Sequence, residues 1–516
     1  MKYFFFLLAC LWLLSKSAAA IIVTAPLSLN EMLDKSQVVI IAEVKAMTMS
    51  KINEYGPQML EPAATFDFKI LKVVKGEFTP NELILTPGVL FGSYYRVAKI
   101  GVGDRVLIAL ESTAKGEVQI VATSRPFIKL ISTQSLELVG TDVLDQLINL
   151  LLDSLNDKSL LQPNTEVLRD VVSTKIVVGL APYLQDEDLF VKDNALYAMA
   201  VNQQVSAIAL ITSFVKQMRS REPGQISPSN SGRAIGLYTT PAAVPSLSAL
   251  LLEPSSGFRY FAMSSLGNIA DESRKSRKPF DRSSIPYLIL VLQDTEPRRS
   301  NAKSAFAILH KLIPSLGSVY KKDFENDRPV ETKKLLNWWR DELSGKNPRE
   351  LMPGETLVVK TIPANIRKLS REQAVAVLNP LLWEMSLETR RAALAQLQKL
   401  ADKSSIPYLL LACEDPDFDV AYGAYQLLGK LLPEVGAHVI RKAFEADRET
   451  ALKPLYAWWQ DELLDKHSDE GLKRFEQEQQ MRSESEKRRA TMQSTPTPKT
   501  LPTSKTSPTP QKGKTP

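Results

Sequence analysis

The chain has 516 residues, of which 44% are hydrophobic and 24% charged, so it can bury a sizeable core and has room for two or three domains. Its formal net charge is +6. Six lysines lie in two terminal segments without acidic residues: Lys2, Lys16, Lys499, Lys505, Lys512 and Lys514. The rest of the chain is therefore near neutral, which argues against a basic surface for nucleic acid, and no nucleic-acid partner is expected.

Residues 1–20 have the pattern of an export signal, with Lys2, an apolar core from Tyr3 to Leu14 and the small residues Ala18-Ala19-Ala20. An apolar core of this length is too short to span a bilayer as a helix. We expect cleavage after Ala20 and export to the periplasm or the cell exterior, with no transmembrane span in the mature chain. The absence of an Asn-x-Ser/Thr sequence favours a bacterial envelope. In a second interpretation, Leu7-Leu8-Ala9-Cys10 is a lipoprotein box and Cys10 is acylated.

Residues 21–138 have the period of β structure. Runs that are β-branched or alternate in polarity are separated by Gly, Pro, Asn and Lys-Gly turns, at 38–44, 64–74, 82–86, 105–110 and 118–122. Short strands at this spacing favour a small closed barrel or sandwich. Phe66, Phe68, Tyr94 and Tyr95 are candidates for a platform that stacks on bases or sugars. The spacing of two between Phe66 and Phe68 is also typical of core positions on one face of a strand.

Three motifs in this segment carry a resemblance to a known family: Ser36 to Val44, Leu71 to Gly76, and Gly101 to Ile108. They are similar to the oligonucleotide/oligosaccharide-binding-like β domain of bacterial exported proteins. The resemblance covers most of residues 21–138 and implies an OB-like barrel. Asp104 stands where the family has Glu, and Val74 where it has Leu.

From Thr141 onward the chain has helical spacing. Leu144, Leu147, Ile148 and Leu151 recur at three- and four-residue intervals after Thr141, a predicted N-cap. Residues 139–464 are predicted to be helices and turns. A unit within them occurs twice, at 283–343 and 404–463, and both copies contain the sequences Ser-Ser-Ile-Pro-Tyr-Leu, Asp-Arg and Trp-Trp-x-Asp-Glu-Leu. Such internal duplication is typical of a stacked helical array.

Several predicted helix pairs share a Pro near the start of the first helix, and a basic or small apolar residue where the second helix opens. They are Pro182 with Asp186 and Lys192, Pro245 with Arg259, Pro286 with Asp294 and Arg299, and Pro407 with Asp415 and Ala421; Arg390 opens a further second helix. This pattern resembles the HEAT-repeat consensus, closest to the HEAT-like repeats of phycobilisome-lyase type. The resemblance implies an α-solenoid with a structural ladder of hydrogen-bonded pairs, here Asp186/Lys192 and Asp294/Arg299. Phe418 stands where the last repeat should have Arg, so the ladder is expected to be incomplete.

Two groups of residues are candidates for binding a partner. Trp338-Trp339 and Trp458-Trp459 end amphipathic helices, and adjacent residues point about 100° apart on a helix. One indole of each pair is therefore expected in the core and the other at the rim, where it caps the helix or contacts a ligand. Arg274, Lys275, Arg277 and Lys278 form a basic insertion that the second copy lacks, a candidate contact for an anionic partner.

The C-terminal segments differ in composition from the duplicated units. Residues 465–493 are predicted to form a charged helix without an apolar stripe. Residues 494–516 are rich in Thr, Pro, Ser and Lys, which is typical of a disordered tail.

The sequence contains few signs of catalytic chemistry. No His has a second His or Cys at metal-ligand spacing, and no phosphate-binding loop, nucleophile elbow or zinc-helix motif occurs. Cys413 lies in an apolar helical stretch and is expected to be buried. We expect no enzymatic activity, cofactor or metal, and favour an exported scaffold or adaptor for a protein or peptide partner in the cell envelope. Two alternatives stay open: a chromophore-lyase or isomerase-type enzyme by HEAT-like analogy, and a structural envelope protein whose tail tethers it to cell-wall polymer.

Overall fold

The computed structural model shows a small antiparallel sheet followed by a large helical region. Eighteen α-helices and six strands lie in the described residues. The residues that the structure describes are 28–49, 64–85, 100–112, 118–121, 127–131, 136–221, 230–254, 256–276, 278, 280–295, 301–313, 324, 327–346, 360–435 and 440–467. The predicted export signal, charged helix and tail lie outside the described residues, apart from residues 465–467.

The predicted β segment forms one antiparallel sheet. Its strands are β1 (Val38–Met49), β2 (Ala64–Lys75), β3 (Glu82–Leu85), β4 (Arg105–Ser112), β5 (Val118–Ile120) and β6 (Ile128–Leu130). They lie in the order β3-β2-β1-β4-β5, and β6 pairs with the first half of β4 while β5 pairs with the second half. Within the part of the chain that the structure describes, no pairing closes this sheet. It is therefore an open sheet here, and the predicted barrel closure is not shown.

A short helix that the sequence reasoning missed precedes the sheet. Helix α1 (Leu29–Lys35) begins with a capping box, in which the Ser28 hydroxyl accepts from the Glu31 backbone N–H and the Glu31 carboxylate accepts from the Ser28 backbone N–H. This exchange satisfies two N–H groups that have no partner inside the helix. The Ser-x-x-Glu spacing at residues 28–31 is the sequence pattern that could have predicted the start of this helix.

Both faces of the sheet are apolar. Because side chains alternate along a strand, Val39 and Ile41 of β1 face one side and Ile40 and Ala42 the other. The first side shares a single core with the helices that follow, whereas the second side has a core of its own that includes Phe68. The sheet therefore packs on the helical region through one face.

The first helices after the sheet follow one another with short connections: α2 (Val143–Ser154), α3 (Lys158–Leu168), α4 (Thr174–Leu180), α5 (Leu189–Val201), α6 (Ser206–Arg221) and α7 (Asn230–Ala234). The N-cap of α2 is Asp142, one residue after the predicted Thr141, because the Asp142 carboxylate accepts from the Asp145 backbone N–H. Asp157, Ser173 and Asp188 cap α3, α4 and α5 in the same way. The side chains of these polar residues replace helix hydrogen bonds that the first turn cannot form, which fixes where each helix starts.

The remaining helices include the two duplicated units. They are α8 (Val244–Leu250), α9 (Ser256–Ser276), α10 (Ile285–Val291), α11 (Asn301–Leu312), α12 (Arg328–Leu343), α13 (Arg371–Leu381), α14 (Leu387–Leu400), α15 (Ile406–Ala412), α16 (Phe418–Leu431), α17 (Arg441–Ala446) and α18 (Arg448–Leu463). Helices α12 and α18 are equivalent, and all the positions that α18 buries are also buried in α12. None of the helices in the described ranges is both long enough and apolar enough to cross a membrane.

Candidate partner-binding surface

The tryptophan pairs divide between core and surface. Trp339 on α12 is 5% exposed and Trp459 on α18 is 2% exposed, whereas Trp338 and Trp458 are half-buried. The divergence of adjacent side chains on a helix accounts for this division. Only Trp338 and Trp458 can therefore offer part of an indole to a partner.

A histidine covers part of one of the two half-buried indoles, Trp458. The ring of His467 stacks on Trp458, with centroids 4.7 Å apart and planes 14° apart, and its Nε2 lies 3.1 Å from the Trp458 carbonyl oxygen. The residue equivalent to His467 is outside the described residues. On one side of Trp458, a partner would therefore meet imidazole rather than indole.

The predicted basic insertion extends the end of α9. Arg274 and Lys275 lie in its last turn, where cations interact favourably with the partial negative charge of the helix C-terminus, and both are exposed. Lys278 is also exposed, and its backbone N–H donates to the Ser273 carbonyl oxygen at 2.9 Å. Arg277 lies outside the described residues. Three of the four candidate cations are thus accessible at one helix end.

Of the predicted ladder residues, Asp186 and Lys192 make other contacts. The Asp186 carboxylate accepts from the Asp188 backbone N–H at 2.8 Å, and the Lys192 ammonium lies 5.8 Å from the centre of the Phe214 ring. Asp294 is buried, and its predicted partner Arg299 lies outside the described residues.

Asp294 pairs with an arginine of the preceding helix pair. Arg259 on α9 is fully buried, and its Nε donates to Asp294 Oδ2 at 2.9 Å. Its Nη1 donates to the Glu253 carbonyl oxygen, and its Nη2 to the carbonyl oxygen of Leu463, at the end of α18. One guanidinium therefore joins α9, the turn after α10 and the end of α18.

The second duplicated unit has the same connection. Arg390 on α14 donates from Nε to Asp415 Oδ2 at 2.6 Å and from Nη1 to the carbonyl oxygens of Glu384 and Met385. Both members of the ion pair are buried. Burial raises the pKa of Asp415, and the hydrogen bonds from Arg390 oppose that rise. Arg390 Nη2 also donates to Asp415 Oδ1 at 3.2 Å, so the contact is bidentate, and a fixed guanidinium fork suits it better than a lysine does.

The aromatic residues proposed as a stacking platform lie in the sheet core. Phe66 and Phe68 are 4% and 1% exposed and contact Phe127, with ring centroids 5.1 and 5.3 Å from it. Tyr94 and Tyr95 lie outside the described residues. The core interpretation of Phe66 and Phe68 is the one that fits their burial.

Other reactive side chains are also buried or dispersed. Cys413 is fully buried, as expected, and burial raises the pKa of its thiol well above the usual value. Over the described ranges, no group of three or more His, Cys, Asp and Glu side chains has the geometry to hold a metal ion.

Comparison with known proteins adds little to these contacts. No known family matches the sequence, and no curated protein matches it. Among solved structures, the chain is similar to a crystal structure described as an engineered protein, with 16% identity over 61% of this chain and 88% of that one, and a TM-score of 0.24. A likeness at that level carries no argument about fold or function.

Proposed function

We propose that the chain is an exported, non-enzymatic scaffold or adaptor that binds a protein or peptide partner in the cell envelope. In this proposal the helical region is built from HEAT-like helix pairs and the sheet belongs to an OB-like domain packed against it. The partner contacts the helical region.

The observation that carries this proposal is the presence of two buried ion pairs in the helical region. The ion pairs Arg259–Asp294 and Arg390–Asp415 are both buried, and each joins a helix to the turn of the next helix pair. Removing one member of such a pair leaves an uncompensated buried charge, so packing that separates the two members is disfavoured. A set of helices fixed in this way supports a surface that is preorganised for a partner.

Two accessible features supply candidate contacts on this surface. Trp338 on α12 is half-buried and offers part of its side chain, and Arg274 and Lys275 present two exposed cations at the end of α9. Tryptophan and arginine are enriched among the residues that dominate binding energy at protein interfaces. An acidic or mixed-charge protein segment would match this combination.

Affinity capture from bacterial envelope extract tests the proposal with matched variants. The full chain would be compared with Arg274→Glu/Lys275→Glu, with Trp338→Ala, and with Lys430→Glu/Lys442→Glu as a control that reverses two other exposed lysines. We expect one protein to be retained by the native chain and the control, and lost with the first two variants.

A chain ending at residue 493 completes the design. If capture depends on residues 494–516 and the three surface variants all behave like the native chain, the scaffold proposal fails. Retention of cell-wall polymer by the same tail would then favour the tether interpretation.

A further inference from the structure

The two duplicated units contact each other through their long helices. Helix α12 starts at the turn of its own unit, where Arg328 Nη1 donates to the Asp294 carbonyl oxygen at 3.0 Å. It ends at the turn of the other unit, where Arg340 Nε donates to Glu414 Oε2 at 3.1 Å and Nη2 makes a second, shorter contact with the same oxygen. Glu414 is 3% exposed.

Helix α18 makes the reciprocal contacts. It starts at its own turn, where Arg448 Nη1 donates to the Asp415 carbonyl oxygen at 2.8 Å. It ends at the first unit, where Gln460 Nε2 donates to Gln293 Oε1 at 3.2 Å and Trp459 Nε1 donates to the Leu290 carbonyl oxygen at 3.3 Å.

These contacts join equivalent positions in both directions. Arg340 and Gln460 are equivalent in the duplicated sequence, and so are Glu414 and Gln293. Tyr287 and Tyr408, also equivalent, contact each other directly, with hydroxyl oxygens 3.3 Å apart. In a two-fold interface, a contact from position i of one unit to position j of the other is matched by a contact from position j to position i, and one position contacts its own equivalent. The contacts between the two units have this pattern. The agreement is incomplete, since the buried Trp339 Nε1 has no hydrogen-bond partner among the described residues.

We infer that the first and second units of one chain associate as an intramolecular two-fold pair. The ion pair Arg340–Glu414 and the hydrogen bond between Gln460 and Gln293 favour this arrangement over association of identical units from two chains. Any two-fold interface between related units permits three pairings: first with second, first with first, and second with second. The last two require a second copy of this chain. A second copy of the chain would therefore compete with the intramolecular arrangement for the same interface. This inference is independent of the proposed function.

The polar residues distinguish these pairings. Pairing two first units would place Arg340 opposite Gln293, and pairing two second units would place Gln460 opposite the buried Glu414. The Tyr456 hydroxyl donates to Glu414 Oε1 at 2.9 Å from within the same unit, so it contributes equally to every pairing. A buried carboxylate deprived of its cation is costly, and this cost falls only on the wrong pairings.

Two double variants test this selection, because they carry the same residue types in opposite orientation. Gln293→Glu/Gln460→Arg and Gln293→Arg/Gln460→Glu both place a second ion pair in the native arrangement. In the first variant, pairs of identical units also gain ion pairs; in the second they gain like charges. The intramolecular pairing has the advantage of a high effective concentration, so the variants should be refolded from denaturant at several protein concentrations before their mass is measured by light scattering.

We expect Gln293→Glu/Gln460→Arg to contain species of twice the native mass or more, in a proportion that rises with concentration during refolding. Gln293→Arg/Gln460→Glu should keep the native mass. Equal mass distributions for the two variants would overturn the selection. Glu414→Gln provides a second measurement by hydrogen exchange. It should lower protection at the end of α12 as well as around residue 414, and an unchanged α12 would contradict the pairing itself.

Discussion

Replacing Arg390 by Met breaks the buried ion pair that joins α14 to the turn after α15. The change keeps most of the aliphatic volume of the side chain but removes both bonds to Asp415 and the donors to the carbonyl oxygens of Glu384 and Met385. The Asp417 backbone N–H, at 2.7 Å, stays as a donor to Asp415. One weakly compensated carboxylate is thus left in the core.

The expected cost is about 3–5 kcal/mol, which is typical when one partner of a buried pair is removed. Arg391 is the matched control, because it neighbours Arg390 on the same helix and forms an ion pair with Asp417 at 2.6 Å, but its side chain is 52% exposed. Arg391→Met should cost much less than Arg390→Met, since solvent screens exposed pairs. Arg390→Met/Asp415→Leu should recover much of the loss, because it removes the stranded charge.

Native-state hydrogen exchange is the suitable assay, because a chain of this size is not expected to unfold in one step. The free energy of opening would be measured for helix α15 in the three variants and the native chain. The loss of stability caused by Arg390→Met should also become smaller at lower pH. Burial raises the pKa of Asp415 and Arg390 opposes that rise, so without Arg390 this carboxylate is protonated more easily, and protonation removes the unpaired charge. Equal losses for Arg390→Met and Arg391→Met would refute the reasoning.

Three further outcomes follow from single residues. Leu428→Ala, at a fully buried position of α16, should cost about 2–5 kcal/mol, and hydrogen exchange should show lower protection in α12 as well as α18; a loss confined to residues after 400 would mean that the units are independent. Asp447→Ala should destabilise α18, because its carboxylate caps the Thr450 backbone N–H, whereas Asp327→Ala at the equivalent start of α12 should have little effect, because no side-chain cap forms there; equal thermal shifts would contradict this. Burial raises the pKa of Glu462, so its contribution to stability is present below its unfolded pKa of about 4.3 and is lost as pH rises through the folded pKa. Glu462→Gln should therefore unfold at a higher urea concentration than the native chain at pH 7 but not below about pH 4. A difference in urea midpoint that does not vary with pH would contradict this.

The positions of the helices followed from local chemistry that a sequence displays. The spacing of Leu335, Trp339 and Leu343 on α12, four residues apart, is that of one helix face, and these three residues are buried. The sequence analysis placed one indole of each pair in the core without saying which, and this spacing would have identified Trp339 rather than Trp338. The same reasoning at the equivalent positions identifies Trp459.

The charged contacts could not be derived from spacing. The resemblance to HEAT repeats paired Asp294 with Arg299, which lies outside the described residues, and it did not anticipate the bond to Asp294 from Arg259, thirty-five residues earlier. Such a contact depends on how one helix pair packs on the next, which the periodicity of a single helix does not specify. Arg259 and Arg390 nevertheless carried a signal, because each lies six residues after a glutamate whose carbonyl oxygen it binds.

The duplication was interpreted from the sequence as two successive units of a stack. In a simple stack, equivalent residues do not meet, because each unit presents one face to the unit before it and a different face to the unit after it. The direct contact between Tyr287 and Tyr408 and the reciprocal contacts of α12 and α18 instead require the same face of both units. Trp338 and Trp458 then occupy equivalent positions on one assembled body, and His467 stacks on the second of them. The equivalent residue of the first unit is Asn347. A partner that contacts both indoles would therefore meet an imidazole beside only one of them in this pair of positions, so Trp338→Ala and Trp458→Ala should weaken its binding by different amounts.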